Sequence, residues 1–311
     1  PDIEPYEHGM LPVGDGNEIY WECCGNPNGK SAMYFHGGPG SGSSRGARRF
    51  FDPAAYRVVL FDQRGCGRSR PLVSSESDLR VNTTQHLISD VEALREHLSI
   101  DSCLILGASW GVTLALAYAQ AYPNRVTALV LASVTTTSQR EVDWLTSGVR
   151  RFFPQQWERF KRHVPARLRA VRLVDAYASL LFDKDSSVRD RAADEWCTWE
   201  DAHVSMAPGY TPNKRFLDAE FRLRFARIVT HYWRNAAFLQ EGELLSRAGR
   251  LSEIPGFLIH GAHDVSSPPE TAWDLHEHWP GSRMQLLSDA GHGGTSVSRY
   301  VASALDELRD L

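Results

Sequence analysis

The chain contains 311 residues, of which 42% are hydrophobic and 23% are charged, and its formal net charge is −4. This length allows one large core, or a core with a sizeable insertion. The slightly acidic balance gives no reason to expect binding to nucleic acid or to an anionic membrane surface. No apolar stretch approaches the roughly 20 residues that cross a bilayer. The polar segment 1–16 does not resemble a secretory signal, and we expect a cytoplasmic protein.

The cysteines follow no paired or metal-binding spacing. Their odd count argues against a disulfide framework, and no C-x-x-C or H-x-x-x-H pattern is available to hold a metal. We therefore expect reduced thiols and no metal site. The five residues are Cys23, Cys24, Cys66, Cys103 and Cys197.

Short apolar runs alternate with glycine-rich turns over the first third of the chain. Strands are predicted at 18–24, 31–35, 56–61, 103–106 and 126–132. Helices are predicted at 84–98 and 113–122, from apolar periodicity and from the proline that closes the second. Strands that alternate with helices indicate a mostly parallel sheet with helices on both faces.

This alternation ends near Ser133, where a helical, charged stretch rich in Arg and Trp begins. Strand character returns in the last fifth of the chain. Two further strands and a closing helix are predicted there, at 254–260, 284–287 and 300–311. We therefore predict an α/β core domain in two pieces, residues 1–133 and 239–311, interrupted by a helical cap domain at 134–238.

A G-x-S-x-G pattern, Gly107 to Gly111, lies between a predicted strand and a predicted helix. This is the setting of a nucleophile elbow, a sharp turn that lifts the serine hydroxyl out at the end of a strand. Flanking glycines are needed because side chains there would clash. A serine that only caps the helix is the alternative. We predict that Ser109 is the nucleophile of a serine hydrolase with an α/β-hydrolase fold.

A serine hydroxyl needs a base, and the base needs an orienting carboxylate. In this fold both follow the serine along the chain. Asp264, directly after a late strand, is the predicted acid, whereas Asp274 lies in an apparent helix and Asp289 could cap a loop. His292, in a glycine-rich loop near the end, is the predicted base. The other late histidines are expected to pack or to face solvent: His260, His263, His276 and His278.

Two backbone N–H groups should stabilise the oxyanion. One is expected at Trp110, the residue after the nucleophile. The other is expected at Gly38, in the glycine-rich stretch 36–42. A flexible surface loop or a phosphate cradle are the alternatives for this stretch. A phosphate loop would carry Lys-Ser or Lys-Thr after the glycines, and neither is present.

With these residues assembled, the chain resembles the proline iminopeptidase (prolyl aminopeptidase) branch of the α/β-hydrolases. The matching stretches cover the whole chain. They are HGGPGSG at 36–42, FDQRGCGRS at 61–69, NTT at 82–84, GASWGVTLALAYAQAYP at 107–123, WCTWED at 196–201, HGAHDVSSP at 260–268 and AGH at 290–292. The resemblance implies a cytosolic hydrolase that removes an N-terminal residue, typically proline, without a cofactor.

The resemblance also implies that carboxylates of the cap hold the free ammonium of the substrate, and that Glu200 is one of them. Glu200 is flanked by Trp196, Trp199 and His203, and a carboxylate held against aromatic rings suits an ammonium ligand. We assign Trp199 and Gly37 to the substrate pocket as well. A salt bridge between Glu200 and an arginine of the cap is the alternative.

The sequence departs from this family at the proline pocket. The stretch that resembles A-R-I-E-N-H-Y reads ARIVTHY here, so Val229 replaces a second acid. The segment that in the family carries an aromatic against the proline ring reads ASVTTT at 132–137, with Thr135 in the pocket. A lost carboxylate removes a charge-assisted contact. We expect this chain to keep the hydrolytic residues of the family but not its proline pocket.

The leading interpretation is an aminopeptidase-like serine hydrolase with non-prolyl specificity, acting through an acyl-enzyme on a small molecule or a short peptide. An esterase, amidase or acyltransferase for a metabolite without a free amine stays open, and so does a degenerate hydrolase kept as a binding protein. Serine at position 109 excludes the carboxylate nucleophile of dehalogenases and epoxide hydrolases. No nucleic-acid or membrane partner is expected, and the oligomeric state is not set by the sequence.

Overall fold

A computed structural model describes residues 3–206 and 209–310. Within these residues eight strands form one sheet. They are β1 (Pro5–Gly14), β2 (Asn17–Gly25), β3 (Lys30–Phe35), β4 (Tyr56–Phe61), β5 (Cys103–Ala108), β6 (Val126–Ala132), β7 (Gly256–Gly261) and β8 (Ser282–Leu287). Their order is β1-β2-β4-β3-β5-β6-β7-β8. Strand β2 is antiparallel to β1 and β4, and the other neighbours are parallel, so the predicted mostly parallel sheet is confirmed.

Helices flank this sheet and fill the segment between β6 and β7. They are α1 (Thr84–His97), α2 (Trp110–Ala121), α3 (Gln139–Thr146), α4 (Pro154–His163), α5 (Leu173–Leu180), α6 (Ser186–Val204), α7 (Ala219–Arg234), α8 (Glu243–Ser246), α9 (Pro269–Glu277) and α10 (Thr295–Leu308). Helices α3 to α8 occupy the insertion. Its buried apolar side chains are continuous with those of the sheet, and the predicted cap limits, 134–238, stay a prediction. In the described ranges, no helix has the length and apolar character needed to cross a bilayer.

Strands in the middle of the sheet are apolar on both faces. In β4, Val59 and Phe61 belong to the cluster formed with α1 and α2. Val58 and Leu60, which point the other way, belong to the cluster formed with α10. A strand covered by helices on both sides must bury every side chain, which explains the uninterrupted apolar run that predicts it.

The structure differs from the predicted elements mainly at the edges. Strand β1 was not predicted; none of its residues is fully buried, so its hydrophobic alternation is weak. Helix α2 begins at Trp110 rather than at 113, because the elbow leads directly into it. The closing helix begins at Thr295 and ends at Leu308, earlier than predicted.

Helix α2 packs so closely on the end of β3 that only glycine fits at position 111. A Cβ on Gly111 would overlap the carbonyl oxygen of Phe35. We expect Gly111→Ala to lower the free energy of unfolding by about 2 kcal/mol or more, measured by urea denaturation. Gly249→Ala is the control, because a Cβ there meets nothing within 4 Å. Equal stability of the two variants would contradict this packing.

Candidate active site

The turn between β5 and α2 holds Ser109 in a backbone conformation that L-residues rarely adopt. Its φ is 54° and its ψ is −123°. The N–H of Ser109 donates to the carbonyl of Ala132 (2.9 Å), and its carbonyl accepts the N–H of Val112 (2.8 Å). Hydrogen bonds to β6 and to α2 thus hold a strained residue in place. This is the strand–turn–helix geometry that the G-x-S-x-G pattern predicts.

Three residues that are distant in sequence meet at this turn. The Oγ of Ser109 lies 2.9 Å from Nε2 of His292, and Nδ1 of His292 lies 2.8 Å from Oδ2 of Asp264. The N–H of Ser267 donates to the other oxygen of Asp264 (2.9 Å). A carboxylate can only accept, so Nδ1 of His292 carries its proton and Nε2 is free to accept from the serine hydroxyl.

Buried charges set the pKa values of this pair. Burial lowers the pKa of His292. The negative charges of Asp264 and, to a smaller extent, Glu200 raise this pKa by more than burial lowers it, so the net shift is upward. Burial raises the pKa of Asp264, and the charge and hydrogen bond of His292 more than reverse that shift. Asp264 is therefore ionised at neutral pH, and its charge makes His292 a stronger base.

The other candidates for acid and base lie elsewhere. Asp289 accepts a hydrogen bond from the hydroxyl of Ser296 at the start of α10 (2.7 Å), and Asp274 lies within α9. Buried His260 accepts the N–H of Val134 (3.0 Å) and donates to the carbonyl of Ser267 (2.7 Å). His260 thus ties the loop after β6 to the loop that carries Asp264.

The glycine-rich loop after β3 is fixed to the elbow by Gln63. Nε2 of His36 accepts the N–H of Gln63 (3.0 Å), and the side-chain amide of Gln63 donates to the carbonyl of His36 (3.0 Å). The indole N–H of Trp110 donates to the amide oxygen of Gln63 (2.9 Å). Gly38 has a φ of 116°, which favours glycine. The two backbone amides predicted for the oxyanion hole are therefore held by one shared side chain, which the sequence analysis did not single out.

A cavity of about 580 Å³ opens in front of Ser109, within the usual size range of small-ligand sites. Several predicted residues line it: Gly37, Gly38, Ser109, Trp110, Thr135, Glu200 and His292. Two predicted pocket residues are not part of its wall. Trp199 is buried, stacks on Phe160 and donates its indole N–H to the carbonyl of Leu145 (3.0 Å). Val229 is fully buried in α7, between the cavity-lining Phe225 and Trp233 along the helix.

Glu200 enters the cavity from α6 as a desolvated carboxyl group. Burial raises its pKa to about 8, although the indole N–H of Trp196 donates to its Oε1 (3.1 Å) and opposes that shift. In the described part of the chain Glu200 forms no ion pair with an arginine, which argues against the alternative role of a cap salt bridge. Its Oε2 lies 3.6 Å from Nε2 of His203.

His203 presents an unused acceptor beside Glu200. The hydroxyl of Ser266 donates its proton to the carbonyl of His203 (2.9 Å). Oγ of Ser266 therefore accepts a hydrogen bond from Nδ1 of His203 (2.7 Å), which must carry a proton. Nε2 is then unprotonated, and this buried atom has no hydrogen-bond partner. Burial lowers the pKa of His203 to about 3, which keeps the ring neutral. A protonated Glu200 can offer its own O–H to this acceptor, whereas an ionised Glu200 leaves two acceptors facing each other that require a donor between them.

The cavity wall after β6 is polar and rigid. Oε2 of Glu141 accepts the N–H and the hydroxyl of Thr136 (2.9 and 2.8 Å) and the hydroxyl of Thr135 (3.3 Å). Its Oε1 accepts the hydroxyl of Thr271 (2.9 Å). The sequence analysis missed Glu141, although Ser138 and Glu141 form an S-x-x-E capping box at the start of α3.

Comparison with known proteins agrees with this geometry. The family model described as alpha/beta hydrolase fold matches residues 33–295. A probable proline iminopeptidase of Streptomyces coelicolor is 49% identical over 99% of this chain and 96% of its own length. A proline iminopeptidase of Arabidopsis thaliana is 41% identical over 99% of this chain and 81% of its own length.

The crystal structure of a proline iminopeptidase from Mycobacterium smegmatis has a TM-score of 0.66 at 20% identity, covering 97% of this chain and 99% of that one. The fold and the family match define the protein as an enzyme, a serine hydrolase with the α/β-hydrolase fold. Within that class the chain belongs to the proline iminopeptidase branch, which the sequence resemblance predicts.

The raised pKa of His292 predicts the pH dependence of turnover. A general base works when deprotonated, so the acid limb of kcat/KM should lie above the ordinary histidine pKa. Asp264→Asn removes the negative charge that raises this pKa. We expect the acid limb to move to lower pH and kcat to fall about 10³-fold or more, in pH–rate profiles with a p-nitrophenyl ester. Asp289→Asn, on an exposed residue, should leave both unchanged. An acid limb that stays in place in Asp264→Asn would refute the coupling.

Proposed function

We propose that the protein is a serine aminopeptidase, which releases the N-terminal residue of a short peptide or a related small amide through an acyl-enzyme. The observation that carries this proposal is the pairing of Glu200 with an unpartnered acceptor, Nε2 of His203, in the cavity of Ser109. A free amine supplies both the positive charge and the N–H groups that this pair lacks.

In the acylation step, Oγ of Ser109 attacks the carbonyl carbon of the scissile amide and gives its proton to Nε2 of His292. The carbonyl oxygen becomes an oxyanion, which accepts hydrogen bonds from the N–H groups of Gly38 and Trp110. When this intermediate collapses, the C–N bond breaks and the departing nitrogen takes the proton from His292. Asp264 keeps the imidazole in the required tautomer and stabilises its transient charge.

In the deacylation step, water attacks the ester carbonyl and transfers a proton to His292. The second oxyanion occupies the same two-amide hole. Its collapse breaks the ester bond and returns the proton to Oγ of Ser109, which releases the free acid. The released acid is a free amino acid when the substrate is a peptide whose N-terminal amine is bound by Glu200.

The amine site has one carboxylate and one neutral acceptor. Because the pKa of Glu200 is about 8 in the empty cavity, burial keeps much of it protonated at neutral pH. An ammonium group beside it favours ionisation and offsets the cost of desolvation. Three N–H bonds of a primary ammonium can serve Glu200, His203 and a further acceptor, whereas a secondary prolyl ammonium has only two N–H groups.

The surroundings of this site favour a residue other than proline. Val229, where the family resemblance implies a second acid, is a buried apolar side chain behind the cavity wall, so this position supplies no carboxylate to the amine. The wall that Thr135 forms is polar and tied to Glu141, and it offers no aromatic face to a pyrrolidine ring. We therefore propose non-prolyl specificity.

An esterase, amidase or acyltransferase for a neutral metabolite is the second candidate. The observation in its favour is that Glu200 is largely uncharged in the empty cavity near pH 7, so a neutral acyl group meets no strong opposing charge.

Glu200→Gln separates the two candidates. We expect kcat/KM for aminoacyl amides to fall by about 30-fold or more, because the buried charge-assisted contact is lost. Hydrolysis of p-nitrophenyl butyrate, which has no amine, should change by less than about threefold. Asp190→Asn, on an exposed carboxylate of the same helix, is the matched control. An equal effect on both substrates would count against an amine anchor.

A panel of aminoacyl-naphthylamides tests the specificity. We expect at least one primary-amine residue to exceed proline in kcat/KM by about tenfold, since a prolyl ammonium has one N–H group fewer and the segment at Thr135 carries no aromatic ring. The measurement is the release of naphthylamine by the wild-type enzyme at saturating and limiting substrate. Proline as the clear best residue would overturn the non-prolyl assignment.

A further inference from the structure

Arg215 lies at the cavity, and nothing in the triad or the amine site uses it. It belongs to a short 3-10 helix, Lys214–Leu217, between α6 and α7. Its Nη1 donates to the carbonyl of Ser41 (2.8 Å), and its guanidinium carbon lies 4.9 Å from the ring centre of Phe221. The N–H of Ser41 donates in turn to the carbonyl of Gly37 (3.3 Å). The guanidinium is therefore fixed relative to the loop that holds the oxyanion hole.

The charge of Arg215 has no carboxylate counter-ion among the residues that the structure describes. Among the described residues that line the cavity it is the sole lysine or arginine, and across residues 3–206 and 209–310 it forms no ion pair with a carboxylate. Its pKa is lowered by burial of the guanidinium, yet the residue as a whole stays exposed. A guanidinium that is fixed on one side and accessible on the other matches the two-oxygen geometry of a carboxylate.

Arg215 and Glu200 occupy different sides of the cavity. Arg215 contacts the loop after β3 through Ser41, whereas Glu200 lies beside His203, which hydrogen-bonds Ser266 in the loop after β7. In the sheet order, β3 and β7 lie on opposite sides of β5, whose end carries Ser109. Tyr34 lines a second cavity, of about 170 Å³, which Ser109 and His292 share with the first.

We propose that Arg215 binds the C-terminal carboxylate of the departing residue, so that the preferred substrates are dipeptides. This inference rests on the proposed aminopeptidase function, because it assigns the leaving group of that reaction. A dipeptide carries an ammonium group and a carboxylate on either side of its one amide bond. In the proposed complex Glu200 binds the ammonium group, Arg215 binds the carboxylate, and Ser109 attacks the amide bond between them.

Alanyl-alanine and alanyl-alaninamide test the proposal, because they differ only in the terminal charge. In the wild-type enzyme we expect kcat/KM to be about tenfold or more higher for the free carboxylate, mainly through KM. Arg215→Ala should remove this preference, and Arg215→Lys should retain part of it. Lys214→Ala, on the exposed neighbouring cation outside the cavity wall, should leave the preference intact. Thermal melts of each variant verify folding.

Binding to a Ser109→Ala variant keeps this test separate from turnover. By calorimetry, the dipeptide should bind about tenfold more tightly than its amide, and Arg215→Ala in the same background should equalise them. Equal affinity of dipeptide and amide, or a loss in Arg215→Ala that is the same for both, would overturn the carboxylate subsite. If the wild-type enzyme cleaves neither compound while the difference in binding persists, the aminopeptidase function fails and the subsite stands.

Discussion

The strained backbone at Ser109 is the constraint on which the site depends. Its positive φ is held by a hydrogen bond to Ala132 on β6 and by the first turn of α2. Close packing of Gly111 on the end of β3 fixes that helix, and Gln63 fixes the glycine-rich loop to Trp110. The hydroxyl of Ser109, the two backbone amides predicted for the oxyanion hole and the imidazole of His292 are thus positioned by the same junction of strands and helix.

The electrostatics of the site follow from how its carboxyl groups are partnered. Asp264 is ionised and paired with His292, whereas Glu200 is desolvated, accepts the indole N–H of Trp196 and has a neutral acceptor, His203, beside it. The charge of Glu200 also raises the pKa of His292. In the proposed function, a bound ammonium would anchor the substrate and also favour the ionised form of Glu200, the carboxylate whose charge raises the pKa of His292.

Sequence patterns predicted the parts of this structure that depend on local geometry. The elbow around Ser109, the strand before Asp264 and the glycine loop around His292 each have a short-range signature, and the three side chains meet in the structure. Glu141 belongs to a local capping box, but its contact with Thr271, 130 residues away, is contained in no local pattern. The same is true of the contact of Gln63 with Trp110, 47 residues away. The same holds for Nε2 of His203, whose availability depends on Ser266 in a loop 63 residues later.

The most direct test of this account is to trap the intermediate. After rapid acid quench of the wild-type enzyme with an aminoacyl ester, peptide mass spectrometry should find the aminoacyl group on Ser109. An unmodified Ser109 under turnover, or an acyl group on another residue, would contradict the account.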